Sequence, residues 1–125
     1  MTPAGIPPGP LLVDTDVFSM WYRQRGRWQD FANLTAGHAL AMSFACVGEA
    51  LAPTYMRKGM APGTTQRIRN ALARFVVIPF DEDIVDLWAN ISGLLGGRLK
   101  DGGVNDMWTA ACALSHGAPV VTNNL

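Results

Sequence analysis

The chain is short of the residues that build the commoner metal and acid–base sites. It has two cysteines and two histidines among 125 residues. Cys46 and Cys112 have no CxxC partner, and His38 and His116 stand isolated, so nothing resembles a zinc site. Net charge is lacking too, because ten basic and ten acidic residues cancel. That balance argues against a general DNA-coating protein, whose affinity rests on many phosphate contacts. Local basic patches remain open. Arg57, Lys58, Arg67, Arg69 and Arg74 fall in a stretch without acids, and Arg23, Arg25 and Arg27 form a second group. The plainer reading of both groups is a solvated helix face. No apolar run reaches the ~18 residues that a membrane span needs. The opening TPAGIPPGP has neither the basic region nor the apolar core of a signal peptide. Four of the eight prolines fall there, so residues 1–10 are expected to form a flexible extension.

What the chain does have is apolar mass, at 49% of residues with a mean hydropathy of +0.12. That composition is globular, and 125 residues suit one domain able to hold a core without staples. Both cysteines lie in apolar contexts and read as buried thiols, which suits a reducing cytoplasm.

Four apolar runs alternate with helical patterns. Residues 11–14, 39–44, 75–80 and 119–123 read as strands, the second buried on both faces. Between them, helices are expected from Asp16 to about Arg25-Gly26, from Trp28 to Leu34, from Cys46 to Lys58 with a kink at Pro53, and from Pro62 to Arg74. Asp81 should cap a helix from Glu82 to Leu95. A last helix runs from Asn105 to His116, its core face built on Met107, Ala110, Ala111 and Leu114. The alternation predicts a three-layer α/β/α sandwich with a mainly parallel sheet.

The segment LLVDTDV carries the sharpest chemical signal. A buried strand stops at Asp14 and Asp16, and in an open parallel sheet ligands bind beyond the carboxyl ends of the strands. The plain alternative is that one of the two only caps the following helix. Glu49 lies early in the helix after strand two, within an apolar stretch. Asp106 lies in the first turn of the helix that feeds strand four. If that strand is parallel to the rest, the helix points its N-terminus, with Asp106, at the same sheet end as Asp14 and Glu49. Three acids from distant positions then meet in one crevice. Gathered carboxylates repel unless a cation joins them, and oxygen ligands suit Mg²⁺ or Mn²⁺. Such an ion can generate a nucleophilic water and offset phosphoryl charge, which points to phosphodiester hydrolysis.

On these segments the chain resembles the PIN-domain family and, within it, the VapC-type toxins. The resemblance rests on LLVDTDV, SFACVGEAL, GGVNDMWTAACAL and the closing VVTNN. It implies a Rossmann-like sandwich, divalent-metal ribonuclease activity, a homodimer, and a small antitoxin that blocks the site. It places Asp14, Glu49 and Asp106 at the acidic metal positions and Asp16 where the family often has Asn. Thr15 and Asn105 flank the site, and Thr122 and Asn124 match the family's Thr-x-Asn. Two positions depart from the pattern. Asn123 stands where Arg is usual, and the further acid that commonly follows would lie past Leu125. Residues 11–125 are thus expected to be a PIN-like domain that either is truncated at its C-terminal end or has an incomplete site. Two other readings stay open. LLVDTDV and PVVTNN also look like motifs of haloacid-dehalogenase-type phosphatases, with Asp14 as nucleophile. A non-catalytic PIN-like binding module would use the same acids for fold or partner.

Overall fold

The computed structural model describes residues 10–56, 61–96 and 103–123, with backbone alone at 103–105. Residues 1–9 of the expected extension, Arg57, Lys58 and Asn124 lie outside the described residues. In chain order the elements are β1 (Leu11–Val13), α1 (Thr15–Arg23), α2 (Trp28–Thr35), β2 (Leu40–Ser43), α3 (Phe44–Met56), α4 (Thr64–Leu72), β3 (Val76–Ile78), α5 (Glu82–Leu95), α6 (Gly103–His116) and β4 (Val120–Val121).

All strand pairings are parallel, in the order β3-β2-β1-β4. The register joins Leu12 to Ala41 and Val120, Val13 to Val121, and Ser43 to Ile78. The chain builds outward from β1 through β2 to β3, then returns to the other side of β1. The order therefore reverses between β1 and β4, which is where open α/β sheets bind their ligands.

Two-residue alternation along the strands divides the core into two layers. Leu11 and Val13 pack with Val17 and Phe18 of α1, Phe31 of α2, Cys46 of α3 and Leu72 of α4. Leu12, Ala41 and Ile78 pack with Ile84 of α5 and with Ala111 and Cys112 of α6. The sheet is thus covered on both faces, as a parallel sheet requires, and the architecture is the expected α/β/α sandwich. Burying a leucine such as Leu12 contributes about 1.5–3 kcal/mol.

The helix ends follow their local chemistry, with two corrections. Asp81 caps α5, its Oδ1 accepting from the Ile84 N–H at 2.8 Å. At α1 the cap is Asp14, two residues before the expected opening at Asp16. That helix also ends sooner than Gly26, at Gln24, whose left-handed φ of 52° lets its N–H bond Met20 and Trp21 carbonyls. Pro53 lies inside α3 and supplies no N–H to its ladder. Strand three is shorter than predicted, with Val76 and Val77 exposed on the sheet's edge.

The core face of α6 is rotated from its predicted position. Met107, Thr109, Ala111 and Cys112 are buried, while Leu114 is 64% exposed. The cause is α5. It packs along α6 and draws Trp108 and Cys112 into a shared cluster with Trp88, which leaves Leu114 on the solvent side. Both cysteines are buried free thiols, as expected. Among the described residues no helix is long and apolar enough to cross a membrane.

Candidate active site

Asp14 is the anchor. It follows the last residue of the central strand and is only 6% exposed. Its backbone N–H donates to the Val121 carbonyl at 3.3 Å, and its carbonyl accepts from Phe18 at 3.0 Å. Its Oδ1 accepts from the Val17 N–H at 2.9 Å. The capping role and the site role therefore fall on one residue. The cap uses one carboxylate oxygen and fixes the direction of the group.

Asp14 lines an open cleft with Asp106, Thr109, Ala110, Val120 and Thr122. This cleft sits at the β1–β4 reversal. Asp106 comes from the first turn of α6 and is exposed. The small Ala110, one turn on, leaves room in front of it, as the spacing had suggested. Thr122, just beyond β4, reaches the same cleft. Thr109 was not foreseen. It lies three residues after Asp106, on the same side of the helix, and is 4% exposed. Its hydroxyl lies 3.2 Å from the Cys46 Sγ, and Cys46 in turn donates its N–H to the Ser43 Oγ at 3.2 Å. This buried polar chain ties the start of α3 to α6 beneath the acids. A threonine inside a helical apolar stretch was the available signal.

The other acids occupy a neighbouring cleft between α1 and α3, lined by Thr15, Asp16, Ser19, Tyr22, Arg23 and Glu49 among others. Glu49 is exposed. Its apolar sequence neighbours turn to the core, and the carboxylate does not follow them. The Thr15 Oγ1 is buried and has no hydrogen-bond partner. Asn105 lies within α6, where only its backbone is described.

The two clefts are one electrostatic unit. The Asp106 carboxyl is pushed above its ordinary value by partial loss of solvent, then by Asp14, Asp16 and Glu49. Asp16 is pushed up by loss of solvent, then by Asp14 and Glu49. Both side chains present area to water, yet the surrounding protein removes enough of it to be felt. The predicted trio is therefore brought within mutual influence, with Asp16 as a fourth member. It is not drawn to one point: among the described residues, no three acid, histidine or cysteine side chains close on a single ion position. The donor set is oxygen only and repels itself, a combination that a hard divalent cation relieves. Neither histidine lines either cleft.

A family model described as PIN domain matches residues 11–125, and the chain belongs to that family. Membership removes the phosphatase reading of LLVDTDV. Among solved structures, the fold is similar to VapBC-1 from nontypeable Haemophilus influenzae, at 23% identity and a TM-score of 0.72, covering 92% of this chain and 87% of that one. It is similar to FitAcB from Neisseria gonorrhoeae, at 22% identity and a TM-score of 0.72, covering 91% and 87%. A toxin–antitoxin complex from Klebsiella pneumoniae is also similar, at 23% identity and a TM-score of 0.70, covering 91% and 86%. Among curated protein sequences none matches the chain.

Proposed function

We propose that this PIN domain is a divalent-metal-dependent endoribonuclease and the VapC-type toxin of a toxin–antitoxin pair. The observation that carries the reading is the meeting of Asp14 and Asp106 in one cleft at the β1–β4 reversal, with Asp16 and Glu49 near enough to raise the Asp106 carboxyl. Asp14, Glu49 and Asp106 would hold Mg²⁺ or Mn²⁺. Bound there, the ion supplies an acidified water and a positive charge against the phosphoryl oxygens. The chain's own part is to position. Asp14 is held rigid by its cap and its strand. Asp106 and Glu49 would face the cation from α6 and α3. Thr122 lines the first cleft and Thr15 the second, and Asn105 and Asn124 match positions of the family's motifs. With no histidine at hand for attack by the RNA's own 2′-hydroxyl, the products are 5′-phosphate and 3′-hydroxyl ends.

The toxin assignment is supported by the fold shared with toxin–antitoxin assemblies. The antitoxin would lay an apolar helix against the half-buried Trp21, Tyr22 and Trp28 of α1 and α2, whose Phe18 and Phe31 are buried in the core. A homodimer and a cytoplasmic location complete the proposal, the latter suiting two free thiols. One observation favours a second reading, a non-catalytic binding module: the acids do not converge on a point.

Mass spectrometry of RNA fragments separates the readings. The nuclease yields 5′-phosphate ends with Mg²⁺ or Mn²⁺ and nothing in EDTA. Cyclic phosphate ends made in EDTA would sink the metal mechanism, and no cleavage under any divalent ion would favour the binding module.

A further inference from the structure

Beside the acids stands an aromatic array that the reaction itself leaves unused. Phe44 directly follows β2, Phe80 lies two residues past β3, and Trp108 leaves α6 on the side opposite Asp106, toward β2 and β3. The Phe80 ring meets Phe44 edge-on at 5.7 Å and 83°, and lies 6.3 Å from Trp108. Phe44 meets Trp108 at 5.4 Å, and Trp88 stacks on Trp108 at 5.0 Å and 19°. Three of these rings are partly buried, whereas Phe80 is 62% exposed.

Single exposed apolar side chains are ordinary. Phe80 differs in being held. Pro79 restricts the backbone before it, and Asp81 after it is fixed as the α5 cap. Two rings brace its edge, so it presents a fixed aromatic surface to solvent. Its place matters as well. Ser43 pairs with Ile78, so the ends of β1, β2 and β3 lie side by side. Neighbouring strands are about 4.8 Å apart, which puts the β3 end about 10 Å across the rim from Asp14. A nucleotide next to the one being cut reaches that far.

We infer that Phe80, braced by Phe44 and Trp108, is a stacking platform for an unpaired nucleobase of single-stranded RNA, next to the phosphate addressed by the acids. Single-strand binders commonly combine aromatic stacking with backbone contacts, and stacking tolerates any base. The platform would hold the strand extended across the carboxyl rim of the sheet and exclude duplex RNA, whose bases are already stacked. This inference rests on the nuclease reading.

The test uses the full chain in EDTA, so that binding is read without cleavage. The probes are a short single-stranded oligoribonucleotide and an abasic strand of equal length. Fluorescence polarisation gives affinity, and tryptophan emission reports on Trp108 and Trp88. Phe80→Ala and Phe80→Leu should each weaken binding of the base-bearing strand about tenfold. Phe80→Trp should restore it, and the abasic strand should be indifferent to all three. Phe80→Leu keeps an apolar side chain, so its loss separates stacking from folding. Equal binding by wild type and Phe80→Leu would overturn the platform and leave the nuclease reading intact. Conversion of a dimer to a monomer by Phe80→Ala would assign the ring to a subunit contact instead. If wild type binds neither strand in EDTA yet cleaves RNA with Mn²⁺, the platform fails alone; if it also cleaves no RNA with Mn²⁺, the nuclease reading fails with it.

Discussion

The two acid-bearing clefts are built differently. In the β1–β4 cleft, Asp14 grows from the central strand, is almost wholly buried, and has its backbone and one carboxylate oxygen bonded. In the α1–α3 cleft, Asp16 and Glu49 are carried by helices and exposed, with Arg23 on the same wall. The first cleft is anchored on the sheet and the second on two helices. Under the proposed function, the buried Asp14 would set the position of a cation and the exposed carboxylates would complete its charge neutralisation.

The largest expected effect comes from breaking the sheet-anchored cleft. Asp14→Asn and Asp106→Asn should each lower RNA cleavage by at least about 100-fold, with circular dichroism unchanged, because each would remove a negative ligand of the proposed cation. Glu49→Gln should also remove most activity. Asp16→Asn should cost only about tenfold, since Asp16 would act on the proposed ion through the field of the cluster. Equal rates for all four variants and wild type would refute the division.

The comparison sharpens on stability. Asn caps a helix as well as Asp does, so Asp14→Asn should keep α1 intact. Asp14→Ala removes the bond to the Val17 N–H and should cost about 1 kcal/mol in chemical denaturation. No such difference is expected between Asn and Ala at position 106, where no cap bond is made among the described residues.

A smaller effect concerns pH. Asp16 and Asp106 hold their protons above the ordinary value of 3.8. The folded state binds protons more tightly than the unfolded one. Their contribution is therefore full below that ordinary value and lost as pH rises through the raised ones. In EDTA, melting temperature should fall across that range, and Asp106→Asn should flatten the fall. A wild-type curve identical to that of Asp106→Asn would show that the repulsion is negligible.

How much was legible beforehand follows from which signals are local. LLVDTDV gave the central strand and its terminal acid, because apolar runs and carboxylates are read residue by residue. The placing of Asp106 beside Asp14 was also legible, since helix direction follows from a parallel strand. The rotation of α6 was not. It depends on Trp88 of α5, and no periodicity within α6 records a neighbour. The direction of Glu49 was hidden for a related reason. Its helix is apolar nearly all round, so only the packing of α1 and α4 shows which side faces solvent. Thr109 and Phe80 escaped notice because each looks ordinary in sequence and acquires meaning only from residues far along the chain.

The most direct test of the central claim is the melting temperature of the full chain with and without Mn²⁺, measured for wild type, Asp14→Asn and Asp106→Asn. A ligand that binds only the folded state raises stability with concentration. Mn²⁺ should raise the wild-type melting temperature in a saturable way that EDTA reverses. Both variants should melt above metal-free wild type or level with it, and should respond little to Mn²⁺. An Mn²⁺ response that is absent in wild type, or undiminished in both variants, would contradict a cation site built on Asp14 and Asp106.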